Sequence, residues 1–161
     1  MEDGSLSLIQ ELPLSSEAGD YGAEITFDET GDTLYASSRG TGVIIVYRLN
    51  SSSSPPTLER IQEISQSGSW PRHFVLQDRL LVTTDQKGDS LQVLHVEPST
   101  GLLIPGKIAA TEHSPAFVTF INWNQNKIIH QKFLQFVSIF LVHNVSRRKI
   151  YLPYFHNEFH C

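Results

Sequence analysis

The chain has 161 residues, of which 40% are hydrophobic and 18% are charged, and its formal net charge is −5. This length and composition are typical of one soluble globular domain, and the acidic balance gives no reason to expect nucleic acid as a partner. The single cysteine, Cys161, excludes an intrachain disulfide framework and favours a reducing, cytoplasmic location.

The first residues contain a strand pattern and no targeting signal. Residues 1–4 lack the basic start and the apolar segment of a signal peptide, so we expect none. Residues 6–12 (LSLIQEL) are echoed by residues 58–64 (LERIQEI). We interpret both as the outer strand of a repeated unit.

The next segment contains three short strand patterns joined by turns. Residues 23–27, 33–37 and 43–49 are rich in β-branched and aromatic types, and Asp-Glu-Thr-Gly and Arg-Gly-Thr-Gly turns separate them. The Ser-Pro run at 51–56 precedes the outer strand of the same unit at 58–64. We therefore expect this run to be a flexible connection within one unit and not a linker between domains.

The same order of strand patterns recurs downstream. The runs 72–76, 80–84, 90–97 and 103–109 repeat it, and residues 115–120 open a third unit. A shift of 47 residues superimposes seven positions: Leu34 on Leu81, Ser37 on Thr84, Ser38 on Asp85, Arg39 on Gln86, Ile44 on Leu91, Val46 on Val93 and Leu49 on Val96. A period of about 40 to 50 residues with four strand patterns per unit is typical of β-propeller blades. We predict an all-β fold, a partial β-propeller of about two to three blades.

The composition changes near residue 120. Residues 1–120 carry 16 acidic and 7 basic side chains, whereas residues 121–161 carry 1 and 5. All ten glycines lie before residue 107, so the second part lacks the turn signals of the first. We predict two parts, the propeller blades at 1–120 and a divergent tail at 121–161 that is not part of the repeated fold.

The tail contains two weak patterns. The apolar segment 128–142 is too short and too polar for a membrane span. His156, His160 and Cys161 have a spacing that could place ligands on one side of a metal ion, but three such residues at a chain end, with Phe155 and Phe159 between them, fall well below the specificity of a zinc-finger motif. We therefore predict no metal and no membrane partner.

Five segments carry a resemblance to a known family: Gly22-Ala23-Glu24-Ile25, Leu34-Tyr35-Ala36-Ser37-Ser38-Arg39-Gly40, Pro71-Arg72-His73-Phe74, Leu81-Val82-Thr83-Thr84-Asp85-Gln86 and Ser114-Pro115 before Phe117-Val118. In order and spacing they resemble the lactonase family of seven-bladed β-propellers, which includes 6-phosphogluconolactonases and carboxy-cis,cis-muconate cyclase. The resemblance covers residues 5–120 and the last third of the family's chain. Two departures are visible: Ser38 and Asp85 replace the family's usual asparagine, and the second blade is about two residues short before Leu80.

The resemblance implies hydrolysis of a lactone. Attack on a lactone carbonyl requires an activated water and a cationic or hydrogen-bonding group where the oxyanion develops. The family assigns catalytic roles at the mouth of the central channel to Glu24 and Arg72. Arg39, Gln86 and His73 are weaker candidates for substrate binding, since an arginine fork suits phosphate or carboxylate. The family's active-site histidine comes from an earlier blade, and His73 is not expected to replace it.

The same residues have structural interpretations. Glu24 is alternatively a solvated acid, and Arg72 an arginine with structural partners. Gln86 is alternatively a turn residue that satisfies backbone groups, and Trp70 a core or channel-wall aromatic. Ser37 and Ser38 lack the Gly-x-Ser-x-Gly context of a serine hydrolase.

The expected function is hydrolysis of 6-phosphogluconolactone or a related sugar lactone, a small-molecule substrate, without a cofactor. Propellers close with about four to eight blades, so this chain holds too few to close a ring and is expected to lack part of the site. A non-catalytic propeller fragment or interaction module is the alternative, and a muconate-type lactone cycloisomerase is the third. Open blade edges are expected to favour self-association.

Overall fold

The computed structural model describes residues 4–15, 17, 20–65, 69–111, 113–122, 137–141 and 151–154. All regular elements in this part of the chain are β-strands. The prediction of an all-β fold is therefore confirmed.

The strands form three antiparallel sheets in which neighbours in sequence are neighbours in space. The first sheet contains β1 (Gly22–Phe27), β2 (Thr33–Ser38), β3 (Val43–Asn50) and β4 (Thr57–Ser65). The second contains β5 (Pro71–Gln77), β6 (Leu80–Asp85), β7 (Ser90–Val96) and β8 (Leu103–Thr111). The third contains β9 (Val118–Asn122), β10 (Val137–Leu141) and β11 (Tyr151–Tyr154). Each four-stranded sheet has the order expected of one propeller blade.

The central strands are buried on both faces. Every residue of β2 is buried, as are the first five of β3. Because side chains alternate between the two faces of a strand, Ile44 and Val46 pack in one cluster while Val43 and Ile45 pack in another. This explains why these strands have continuous apolar runs and not the alternating pattern of a half-exposed strand.

The largest core cluster joins the two blades. Tyr35, Ile44 and Val46 of the first sheet pack against buried side chains of the second, namely Phe74, Leu81, Leu94 and Leu103. The hydroxyl of Tyr35 donates to the carbonyl of Gly101 at 2.8 Å. Burial raises the pKa of Tyr35 to about 12. Face-to-face burial of neighbouring units is how repeat proteins gain stability.

The repeat inferred from the sequence is confirmed by the strand register. Leu34 pairs with Tyr47 on β3, and Leu81 pairs with Leu94 on β7, which are the positions that a shift of 47 relates. The first strands of the two blades do not follow the shift of 47. Phe27 pairs with Leu34, whereas Leu76 and not Phe74 pairs with Leu81. The turn between the first two strands is thus two residues shorter in the second blade, as the sequence predicts.

The prediction of an outer strand at residues 6–12 is wrong, because this segment forms no strand in the structure. A strand requires a partner with free backbone groups, and among the described residues no strand pairs with this segment. Instead, the side-chain amide of Gln10 bonds to the backbone of Leu58, with Gln10 Nε2 to the carbonyl at 2.9 Å and the N–H to Gln10 Oε1 at 2.7 Å. Leu12 and Leu14 then pack on the outer face of the first blade.

The backbone of the third sheet pairs a family-like strand with strands of the tail. β10 pairs with β9 on one side and with β11 on the other. The expectation that residues 121–161 are not part of the family fold stays a prediction. His156, His160, Cys161 and most of residues 128–142 lie outside the described residues. In the described residues, no helix is long and apolar enough to cross a membrane.

Candidate functional site

The candidate site begins where the first strands of two blades meet. Glu24 lies on β1 and His73 on β5, and Oε2 of the carboxylate is 3.3 Å from Nε2 of the imidazole. The two side chains are 31% and 18% exposed, respectively. An acid of the first blade and a ring of the second are thus held together in a partly desolvated position, where a hydrogen bond between them is stronger than on an open surface.

Glu24 and His73 occupy the same position of successive blades. The pairing of β1 with β2 shifts between Gly22 and Ile25, and that of β5 with β6 shifts between Pro71 and His73. The backbone N–H of Glu24 donates to Ser37 Oγ at 3.0 Å, and that of His73 donates to Thr84 Oγ1 at 3.1 Å. The irregularity re-aims the side chain at this position. A hydroxyl on the second strand satisfies the displaced N–H in both blades.

Arg72 lies beside this pair on β5 and is exposed. Its Nη1 donates to Oε1 of Gln86 at 3.3 Å. Gln86 follows β6, and its own backbone N–H donates to the carbonyl of Trp70 at 3.1 Å. The contact holds the guanidinium near the start of β5, and the same group carries further N–H donors of the kind that bind an anion.

Arg39 lies against the start of β1, among aromatic rings. Its Nη2 donates to the carbonyl of Gly22 at 3.1 Å, and its guanidinium carbon lies 5.9 Å from the centre of the Tyr21 ring and 5.7 Å from that of Trp70. Nζ of Lys87 lies 3.2 Å from the centre of the Trp70 ring. Cations over aromatic faces are stabilised by the ring quadrupole. The rings of Tyr21 and Trp70 thus hold two cations, Arg39 and Lys87, at this end of the two sheets.

Asp20 fixes the turn that carries Arg39. Oδ1 of Asp20 accepts the N–H of Gly40 at 2.6 Å, and Oδ2 accepts the N–H and the hydroxyl of Thr41 at 3.1 and 2.5 Å. A side chain at Gly40 would overlap this carboxylate. Burial alone would raise the pKa of Asp20, but hydrogen bonds from Thr41, Ser15 and the N–H of Tyr21 outweigh it and hold the pKa well below its usual range.

A third blade strand closes the site over His73. The backbone N–H of Val118, the first residue of β9, donates to Nδ1 of the imidazole at 3.4 Å. The ring of Phe117 lies 4.2 Å from that of His73, centre to centre, at an angle of 40°. Burial lowers the pKa of His73, and the Glu24 carboxylate opposes this shift in part. Burial therefore favours the neutral form of the imidazole.

A groove of about 790 Å³ lies at the opposite end of the strands. Two of its acidic side chains support turns: Oδ1 of Asp28 accepts the N–H groups of Asp32 and Thr33 at 3.0 and 3.2 Å, and Oε2 of Glu97 accepts the hydroxyl of Thr100 at 2.6 Å. The chemistry favours the other end of the strands as the functional site, since the acid–imidazole pair, Arg39 and Arg72 lie there.

The sequence identifies five candidate residues, and the structure brings them to one end of two blades: Glu24, Arg39, Arg72, His73 and Gln86. It pairs Glu24 with His73 and Arg72 with Gln86. The contributions of Asp20 and Val118 are not visible in the sequence pattern. Within the described part of the chain, no group of three or more acidic, histidine or cysteine side chains is arranged to hold a metal ion.

Comparison with solved structures shows the same architecture in three proteins. A putative 6-phosphogluconolactonase from Bacteroides uniformis is 25% identical with a TM-score of 0.63, over 75% of this chain and 35% of that one. One from Bacteroides fragilis is 22% identical with a TM-score of 0.64, over 72% and 33%. The periplasmic gluconolactonase PpgL of Pseudomonas aeruginosa is 20% identical with a TM-score of 0.56, over 70% and 31%. The chain thus spans about a third of the length of these structures.

The family comparison agrees with the structural one. No curated protein matches the chain significantly. The family model "Lactonase, 7-bladed beta-propeller" matches residues 1–120. Because this match covers most of the chain, the protein belongs to the lactonase family of seven-bladed β-propellers.

Proposed function

We propose that this chain carries part of the active site of a lactone hydrolase of the 6-phosphogluconolactonase type. The reaction converts 6-phospho-D-glucono-1,5-lactone and water to 6-phosphogluconate. The observation that carries the proposal is the Glu24–His73 pair at the junction of two blades, with Arg72 and Arg39 at the same end. Membership of the lactonase family supports the reaction class, and the two Bacteroides structures described as putative 6-phosphogluconolactonases support the substrate.

Glu24 is the proposed general base. One carboxylate oxygen, Oε1, lies 3.3 Å from the N–H of Ile25, and the other lies next to His73. Each oxygen retains a lone pair that can accept a proton from water. As the proton leaves, the water oxygen bonds to the lactone carbonyl carbon. The ring C–O bond then breaks, and the ring oxygen takes the proton to become a hydroxyl.

Arg72 is the proposed partner of the negative charge on the substrate, either the developing oxyanion or a carboxylate. Its guanidinium carries donors beyond the one that bonds to Gln86, and these can stabilise the oxyanion or clamp a carboxylate. Arg39 is the proposed site for the substrate phosphate, at the start of β1. Gln86 positions Arg72, and His73, a weaker candidate for substrate binding from the sequence, lies against the Glu24 carboxylate.

A non-catalytic fragment is the competing proposal. The chain covers only 35% of the B. uniformis structure, so most of a complete ring lies outside it. Ile25 and Phe27 on β1 are 61% and 46% exposed, which leaves an apolar edge strand open. Such an edge favours pairing with another chain, and size-exclusion chromatography would detect the oligomer.

A muconate-type cycloisomerase would use the same scaffold with another substrate. The proposed cytoplasmic location rests on the single cysteine.

The test is lactone hydrolysis by the purified chain, measured as acid release above the spontaneous rate. We expect Glu24→Gln to lower kcat by about 10² to 10⁴, which is the usual contribution of a general base. Arg72→Ala is expected to lower kcat/KM. Glu29→Gln and Arg79→Ala are matched controls, since both residues line the groove at the opposite end of the blades.

The outcomes separate the proposals. Hydrolysis that Glu24→Gln and Arg72→Ala abolish, and that both controls retain, supports the lactonase. A preference for 6-phosphogluconolactone over gluconolactone that Arg39→Ala removes supports the phosphate site. If the chain is folded, as judged by a β-rich circular dichroism spectrum, but hydrolyses no lactone above the spontaneous rate, the result favours the non-catalytic fragment. Activity on a muconolactone alone would favour the cycloisomerase.

A further inference from the structure

We infer that His73 is a positioning residue, which acts by holding the Glu24 carboxylate through an Nε2–H donor whose tautomer is fixed by the backbone N–H of Val118. This inference deepens the proposed function and rests on it for its catalytic consequence. Which ring nitrogen of His73 carries the proton can be measured whether or not the chain is an active enzyme.

The tautomer follows from the two partners of the ring. Nδ1 lies 3.4 Å from the backbone nitrogen of Val118. A peptide N–H can only donate, so Nδ1 must present a lone pair. In a neutral imidazole the single proton is then on Nε2, which lies 3.3 Å from Glu24 Oε2. The arrangement resembles the way in which a second hydrogen bond selects the tautomer of a metal-bound histidine.

The ring has little freedom to leave this geometry. Its backbone N–H donates to the hydroxyl of Thr84, and that hydroxyl donates to the carbonyl of His73 at 3.0 Å. The Phe117 ring packs on the imidazole, centre to centre at 4.2 Å. Contacts from β6 and from the third sheet therefore fix the donor that faces β1. A preorganised donor of this kind holds a catalytic group in place without reorganisation.

The neutral state of the ring is what makes it useful to a base. Among the described residues, Glu24 is the charged group that shifts the pKa of His73, and it shifts it upward. Burial lowers the pKa of His73, so at neutral pH the imidazole donates a hydrogen bond without adding a full positive charge. A charged lysine at this position would stabilise the carboxylate and weaken it as a base. The neutral N–H orients Glu24 and leaves its negative charge in place.

The experiment combines nitrogen NMR with kinetics on the full chain. Long-range ¹H–¹⁵N correlation reports each ring nitrogen as protonated or not, and His73→Gln identifies the His73 signals by their loss. We expect a protonated Nε2 and an unprotonated Nδ1 at pH 8, and a lower pKa for His73 in Glu24→Gln because the attraction of the carboxylate is gone. An Nδ1–H tautomer, or a pKa unchanged in Glu24→Gln, would overturn the inference whether or not the chain is active.

The kinetic arm separates positioning from direct contact with substrate. His73→Leu removes the donor and is expected to lower kcat about 10- to 100-fold with little change in KM, since misplacement of a catalytic group affects the chemical step. His73→Gln keeps an amide donor and is expected to recover most of kcat. His95→Gln, on the exposed side of β7, is the matched control. A rise in KM alone in His73→Leu would mean that His73 binds substrate. If the wild-type chain has no lactonase activity, the proposed function fails and the NMR result still decides the tautomer.

Discussion

The side-chain amide of Gln62 makes two hydrogen bonds with the backbone of Leu103, joining the outer strands of adjacent blades. Gln62 Nε2 donates to the carbonyl at 2.9 Å, and the N–H donates to Gln62 Oε1 at 2.7 Å. Gln10 makes the same pair of bonds with Leu58. A glutamine side chain thus makes the same two bonds to the outer strand of each blade, at Leu58 on β4 and at Leu103 on β8.

Replacing Gln62 by alanine is expected to destabilise the chain by about 1 to 3 kcal/mol, because the partly buried N–H and carbonyl of Leu103 lose their partners. Gln62→Glu should also be destabilising at neutral pH, since the carboxylate cannot donate to the carbonyl. Urea denaturation followed by circular dichroism measures both. Gln77→Ala is the control, because the amide of Gln77 bonds only to its neighbour Asp78 in the described structure. Equal effects of the two alanine variants would contradict the role of Gln62.

Gly101 combines a left-handed backbone with a close neighbour. Its φ is +70°, and a Cβ there would lie 2.7 Å from Thr33 Oγ1. Gly31 has φ +79° with open space around it. Gly31→Ala should cost about 1 to 2 kcal/mol through backbone strain alone. Gly101→Ala should cost a further 1 to 3 kcal/mol from overpacking. Thermal unfolding of the two variants tests the difference, and similar midpoints would show that Thr33 moves away freely.

Protonation of His73 is expected to destabilise the fold in weak acid. Its pKa is lowered from 6.5 in the folded chain, mainly by burial, so the folded state binds this proton less readily than the unfolded state. The stability contributed by neutral His73 is therefore present above pH 6.5 and declines as pH falls toward the lowered pKa. Denaturation at pH 8 and pH 5 should show a smaller loss for His73→Gln than for the wild type. The same loss in both would place the titrating group elsewhere.

Glu97 is expected to stabilise the turn before β8 down to low pH. Hydrogen bonds from Thr100 and Ser99 lower the pKa of its carboxyl from 4.5 to about 2. Its contribution is thus complete above pH 4.5 and is lost as the pH falls through about 2. Glu97→Gln should unfold at lower urea concentration than the wild type at pH 7, with the gap closing between pH 4.5 and pH 2. Glu29→Gln serves as the control. A difference in urea midpoint between Glu97→Gln and the wild type that stays constant with pH would rule out the ionised Glu97 carboxylate as the source of the stability.

The sequence predicts the strands of both blades well because their causes are local. β-branched runs and the Gly-containing turns at 28–32 and 39–42 determine where β2 and β3 begin and end. The segment at 6–12 has an equally good strand pattern and fails, since a strand depends on a partner that the pattern does not describe. Its echo of the sequence around Gln62 instead reflects the shared glutamine contact with the next blade.

The site is only partly visible in the sequence for a related reason. Glu24 and Arg72 are identifiable by their motifs, but the shift of 47 residues that relates the blades places Glu24 on Pro71 and hides its equivalence to His73. Aligning the two motifs from their first residues, Gly22 and Pro71, reveals it. The contact of His73 with Val118 depends on the packing of a third sheet, which no local pattern encodes.

The shared position of Glu24 and His73 has a consequence for how such a protein changes its chemistry. The same backbone irregularity and the same hydroxyl anchor carry a carboxylate in one blade and an imidazole in the next. A functional group can therefore be exchanged by a single codon, with the strand pairing untouched. Duplicated blades that diverge at this position can acquire new substrates one substitution at a time, because the remaining contacts of each blade continue to maintain the scaffold.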